Sequence, residues 1–264
     1  MKRCRTILRI STLLTFNHFI RAALSVLRER TGIGDTAKSK WDRGIPAEVA
    51  FWDERFHSKT GPGGLQWVDT YGLRLDPDLP LQKYVRDLLP QSADVRILDV
   101  GAGPLTYLGK KCNGKRIHIT AVDPLADEYD RILARHHVEP PVRTQKLDAE
   151  KLTSQFPANT FDLVFAHDCI DHSYDPERAI LEMIKVVKTN CYVLLDHRPH
   201  TAERLAYKDL HQWNFSVNAI GEFVIGSKHF EVNMNRKYSR LCSIACEMES
   251  SGDRVSLITR IRKT

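Results

Sequence analysis

Val95-Arg96-Ile97-Leu98-Asp99-Val100-Gly101-Ala102-Gly103-Pro104 decides how the rest of the chain is read. Val95, Ile97, Leu98 and Val100 make a short apolar run, and a run of that length bounded by a turn is a buried strand. It stops at Gly101-Ala102-Gly103, where glycine lets the backbone turn and approach a ligand that side chains would exclude. A first strand running into a glycine-rich turn is how a doubly wound sheet opens its crevice. Downstream, 116–123, 142–147, 161–167 and 191–196 read as further strands. A helix rich in Asp and Arg follows 116–123 and runs through about residue 137. A second covers 176–188, with Ile180, Ile184 and Val187 on its buried face. Alternation of this kind predicts an α/β fold, a parallel sheet with helices on both faces. The end of the chain differs: 239–248 and 254–262 flank a Ser-Ser-Gly-Asp turn and predict an antiparallel hairpin.

The whole chain is 264 residues, 42% hydrophobic and 27% charged, which excludes a disordered tail, a collagen-like fibre and a polytopic membrane protein. Its net charge of +6 is unevenly placed. Ten Lys/Arg against three acids make residues 1–45 +7 and leave −1 for residues 46–264. A nearly neutral body argues against a nucleic-acid footprint, and none is expected. The six cysteines, at 4, 112, 169, 191, 242 and 246, form no Cys-x-x-Cys pair and read as reduced thiols of a cytoplasmic protein. Cys242 and Cys246 should share one face of a strand.

Two regions are expected: a basic amphipathic segment and linker over 1–45, and a catalytic domain over 46–264. Between Thr6 and Leu27 an apolar run is interrupted by Arg9, Asn17, His18 and Arg21, which argues against a membrane-spanning helix. The segment suits either a helix packed on protein or peripheral contact with an anionic membrane through residues 1–30. Residues 31–46 read as a linker. Helices are expected over 47–56 and 79–89, with a turn at Gly61–Gly64 between them. The stretch 201–238 reads as an insertion on the acceptor side.

The acids at the strand ends sharpen the crevice. Asp123 ends the second strand, 24 residues after Asp99, where a carboxylate accepts hydrogen bonds from the two ribose hydroxyls of a nucleoside. Asp148, followed by Ala149, can take the exocyclic amine of adenine beside an apolar contact. Helix capping is the competing use of both acids. A dinucleotide Gly-x-Gly-x-x-Gly would need glycine at 106, where Thr106 stands, so the pattern favours a nucleoside ligand without a pyrophosphate.

Ile97–Pro104, Val122-Asp123-Pro124, Asp148-Ala149-Glu150, Phe161-Asp162-Leu163-Val164 and Asp171-His172-Ser173-Tyr174-Asp175-Pro176, in this order, resemble the class I S-adenosylmethionine-dependent methyltransferases. The resemblance covers about residues 93–200. It implies a Rossmann-like seven-stranded sheet closed by the C-terminal hairpin. It also implies S-adenosyl-L-methionine as methyl donor, held by Asp99, Gly101, Ala102, Gly103, Asp123, Pro124, Asp148, Ala149 and His167. Leu105 departs from the family's third glycine.

Methyl transfer to oxygen or nitrogen needs donor and acceptor in line and a group that takes the acceptor's proton. The ends of the fourth and fifth strands supply candidates: His167, His197 and, further on, His211, with His172 closing a helix start. No metal is assigned. Asp168 and Asp196 are similar in place to the carboxylate ligands of catechol-type methyltransferases, but His197 replaces the expected Asn and Asp168 stands one position late. Trp52, Phe56, Trp67, Trp213, Phe215 and Phe223 are candidates to roof an acceptor pocket. The expected acceptor is a small molecule, a sugar or a lipid-linked intermediate. The competing function is a non-catalytic binding module on the same fold.

Overall fold

The computed structural model describes residues 36–58 and 72–264. The leader helix and its membrane contact, the Gly61–Gly64 turn and Trp67 lie outside the described residues. The chain divides into two compact units, residues 1–40 and 41–264, and the fold belongs to the second.

Seven strands form one sheet: β1 (Asp94–Val100), β2 (Arg116–Asp123), β3 (Thr144–Lys146), β4 (Phe161–His167), β5 (Val187–His197), β9 (Cys242–Ser251) and β10 (Arg254–Lys263). Their order is β3-β2-β1-β4-β5-β10-β9. The first five are parallel, and β10 is inserted antiparallel between β5 and β9. The order reverses between β1 and β4, so the crevice opens above their carboxyl ends. The doubly wound sheet and its closing hairpin agree with the reading of the sequence.

Both faces of the central strands are buried. Leu98, Val100, Val164 and Ala166 face Ile180, Met183 and Ile184 of α3 (Pro176–Val186). The alternate residues Val95, Ile97, Leu163 and Phe165 meet Leu81, Val85 and Leu108 on the other side. Continuous apolar strands rather than alternating ones follow from this two-sided covering. A third cluster joins α1 (Ala37–Ser58) to α2 (Ala126–Arg135) through Phe56, Leu105, Tyr129, Ile132 and Leu133. Cys242 and Cys246 point to one face, as expected, and the five described cysteines are free thiols.

Several elements differ from expectation. The linker expected over 31–46 and the helix start at Ala47 are replaced, among the described residues, by one helix from Ala37 that carries Pro46 inside it. Packing holds the turn that sequence punctuation breaks: a Cβ on Gly44 would stand 2.6 Å from Leu210 Cδ2, and Trp41 meets the Tyr174 ring edge-on at 5.9 Å. The helix expected over 79–89 is a single turn, Lys83–Arg86, because Leu81 N donates to Lys111 O and Leu79 O accepts from Lys111 N, holding Pro80 between them in an extended bridge. The insertion 201–238 is ordered as a three-stranded antiparallel sheet, β6 (Asn214–Val217), β7 (Phe223–Gly226) and β8 (Glu231–Asn233). Among the described residues no helix is long and apolar enough to cross a membrane.

Candidate active site

The glycine turn is built by local geometry. Gly101 and Gly103 have φ of +68° and +63°, the left-handed region that favours glycine. The amides of Gly101 and Ala102 donate to Val122 O at 2.8 and 3.2 Å, fixing the turn to the end of β2. A Cβ on Gly101 would stand 2.5 Å from Cys169 Sγ. Asp99, buried at the end of β1, accepts a hydrogen bond from the Thr106 hydroxyl, and burial pushes its pKa up to about 7. Thr106, the residue that breaks the dinucleotide pattern, therefore braces this acid. Leu105, where the family often has glycine, is buried in the core under α1.

Asp123 joins the turn to the second strand. Its Oδ2 accepts from Gly103 N at 3.2 Å and its Oδ1 from Leu125 N at 2.9 Å. Each carboxylate oxygen keeps a further acceptor site. Burial pushes this carboxyl up to about 7, against the two amides. A buried carboxylate with spare acceptors and no cation partner among the described residues fits a pair of ligand hydroxyls. Pro124 follows half-buried, and Thr144 of β3 donates to Gly103 O at 2.7 Å. Asp148 makes no capping bond to the helical turn Ala149–Ser154 that it precedes. Its Oδ2 instead accepts from Lys151 Nζ at 2.7 Å and Tyr174 OH at 3.3 Å, beside buried Ala149. On the open side of the turn lies the Trp52 indole, 3.2 Å from where a Gly103 Cβ would be, with Nε1 donating to Glu48. Among the described roof candidates, Trp52 is the one that reaches the donor side.

The candidate histidines part company. His167, at the end of β4, stacks on Tyr107 with ring centres 4.0 Å apart. Arg254 Nη2 lies 3.2 Å from its Nε2, and a guanidinium only donates, so that lone pair is taken. Burial pushes His167 down to about 4. His197 is fully buried, and its Nε2 accepts from the amides of Cys169 and Ile170 at 3.2 and 3.0 Å. It braces the chain after β4, and its Nε2 lone pair is occupied. His211 meets His172 edge-to-face at 4.3 Å, and its Nδ1 has no hydrogen-bond partner. Burial pushes His211 down to about 4, whereas for His172 burial is outweighed by the combined charges of Asp171, Glu48, Asp168 and Asp123, which raise the pKa.

Arg254 was not singled out by sequence, yet it organises this end of the sheet. It donates to Asp168 at 2.7 Å and to Asp196 at 3.1 Å, so its guanidinium is the cation between those two acids. Tyr84 OH completes Asp196 at 3.0 Å. Burial opposes the charge on Asp168, but His167 and Arg254 hold its carboxyl well below the usual carboxylate range. Sequence separations of 58 and 86 residues hid these pairs. The other described roof candidates do not roof a pocket: Phe56, Phe215 and Phe223 are core residues, and Trp213 packs on Phe230 while its Nε1 donates to Ser173 O.

Residues 98–195 match the family model described as a methyltransferase domain. The chain is 26% identical over 151 residues to phosphoethanolamine N-methyltransferase 2 of Caenorhabditis elegans, covering 55% of this chain and 33% of that one. It is 32% identical over 105 residues to an uncharacterized methyltransferase of Schizosaccharomyces pombe, covering 37% and 38%. It therefore spans about a third of the length of the curated relatives it matches. Among solved structures, a SAM-dependent methyltransferase of Aquifex aeolicus is 12% identical with a TM-score of 0.43, covering 79% of this chain and 97% of that one. The matched methyltransferase domain spans residues 98–195, and the sheet order is the one the class I S-adenosylmethionine-dependent methyltransferase resemblance implies. The methyl donor of that family is S-adenosylmethionine.

Proposed function

We propose that this chain transfers the methyl group of S-adenosylmethionine to an oxygen or nitrogen of a small-molecule acceptor. The observation that carries the reading is the join between the positive-φ glycine turn and the Asp123 carboxylate, made where this family holds its donor. The donor, when bound, supplies an electrophilic methyl on a sulfonium. Asp123 would hold the ribose, and Asp148 with Ala149 the adenine edge. Asp99, Ala102 and Pro124 shape the turn, and His167 lines the crevice as a neutral ring. Trp52 and Glu48 of α1 would shield the donor from water.

The acceptor belongs above the carboxyl ends of β4 and β5. With the Nε2 lone pairs of His167 and His197 occupied, the polar group left to meet it is Asp171, His172 and His211. Phosphoethanolamine is the first acceptor to try, because a relative is named for it. Sugars and lipid-linked compounds follow. The +7 leader supports a second, separate proposal of peripheral attachment to anionic membranes, which liposome flotation at low and high salt checks.

Calorimetry with S-adenosylmethionine and its demethylated product, then mass spectrometry of extracts incubated with labelled donor, tests the main reading. Donor binding together with a labelled small molecule supports it. Donor binding with no labelled product favours a binding module. Absence of heat at millimolar donor removes both.

A further inference from the structure

Asp171 and His172 sit on the short turn Ile170–His172 that follows β4, and His211 on the loop before β6. Trp213 Nε1 donating to Ser173 O at 3.0 Å fastens the two segments together. One ligating atom from each of the three side chains lies within 4.8 Å of the others.

Asp171 is 3% exposed, and its Oδ1 has no hydrogen-bond partner. The nearest basic atom to that oxygen is His197 Nε2 at 3.8 Å, already accepting two amides, so two acceptors face each other. Asp171 Oδ2 is 3.9 Å from His172 Nε2, beyond hydrogen-bond distance. Among the described residues no Lys or Arg pairs with Asp171. His211 Nδ1 is likewise buried and without a partner. A buried carboxylate is costly unless a cation or donors meet it. Two imidazoles and one carboxylate in one cluster are a donor set that suits a divalent transition metal better than Mg²⁺ or Ca²⁺.

We propose that Asp171, His172 and His211 bind one divalent transition-metal ion at the acceptor edge of the crevice. The three protein ligands leave coordination positions open, and the half-buried His172 and His211 give access from outside. The ion would offer those positions to an oxygen of the acceptor and lower the pKa of a bound hydroxyl. That role rests on the methyl-transfer reading. The binding of the ion does not.

The test is titration of the chelator-stripped full chain with Co²⁺, followed by visible absorption and by elemental analysis after dialysis. One bound equivalent with a ligand-field band is expected. His172→Ala and His211→Ala should each weaken binding by more than about 10²-fold, beyond what the loss of a supporting contact usually costs. Asp171→Asn should do the same if it folds by circular dichroism, and the two histidine variants carry the test if it does not. His200→Ala, at an exposed histidine 3.6 Å from Glu203, should bind as the parent does. Absence of a stoichiometric cobalt site, or one that survives both histidine variants, overturns the proposal and leaves Asp171 and His172 as an internal ion pair. Donor calorimetry on the same stripped sample separates the two claims. Cobalt without donor binding sinks only the methyl-transfer reading, and donor binding without cobalt sinks only the metal site.

Discussion

The donor half of the crevice, around β1, β2 and β3, and the acceptor half, around β4, β5 and β10, are built by different means. In the donor half, main-chain geometry dominates. Gly101, Ala102 and Gly103 bond through their amides to Val122 and Asp123, within about two dozen residues. In the acceptor half, side chains meet across the chain: Arg254 with Asp168 and Asp196, Trp213 with Ser173, His211 with His172. Main-chain binding constrains a few positions tightly and shows as a local motif. Side-chain networks between distant segments can be rebuilt for a new acceptor without disturbing the donor turn.

The sharpest way to break this contrast is at Gly101. Gly101→Val combines a positive φ with a Cβ 2.5 Å from Cys169 Sγ, and it should abolish donor binding and lower the melting temperature. Gly114→Ala has a comparable φ of +73° with nothing within 4 Å, so it should cost only the backbone term, about 1–2 kcal/mol, and leave donor affinity unchanged. Equal losses in the two variants would mean that the close approach at Gly101 does not matter. In the acceptor half, Arg254→Met leaves Asp168 and Asp196 without their cation. A loss of about 2–3 kcal/mol in denaturant unfolding is expected, below the full cost of breaking a buried pair because Arg254 is a quarter exposed. Donor affinity should move by less than about threefold if the two halves are energetically independent. The smallest effect is expected at Tyr174→Phe, which removes one long bond to Asp148. It should weaken the donor by about 0.5–1 kcal/mol in calorimetry.

Legibility followed the same division. The strands that carry donor residues declared themselves because each is a continuous apolar run ending in glycine or an acid, and the hairpin did so through its turn. The first turns of α1 did not, since Gly44 and Pro46 read as punctuation until Leu210 and Tyr174 supply tertiary packing. The three-stranded insertion was missed because its strands are of three or four residues. Thr106 could have been found as the hydroxyl seven residues after Asp99 in the turn. Arg254 could not, because nothing in β10's own pattern marks it as the partner of two carboxylates at distant strand ends. His167 and His197 stand out in the sequence by type and place, whereas the occupation of each Nε2 lone pair depends on groups brought together by the fold.

The central claim is that Asp123 receives the donor, and its ionisation gives the most direct measurement. Burial pushes this carboxyl up to about 7, and ribose hydroxyls donate to its charged form. Binding below that pKa must therefore release a proton, so affinity should rise with pH, by up to about tenfold per unit below 7, and level off above it. Calorimetry with S-adenosylhomocysteine at pH 6 and pH 8, in the parent and in Asp123→Asn, reads this out. The account predicts one-to-one binding that tightens from pH 6 to pH 8 in the parent, and weaker, less pH-dependent binding in Asp123→Asn, where Asp99 is the carboxyl of the turn still held near 7. Binding of equal strength in parent and variant at both pH values, or none in either, would contradict it.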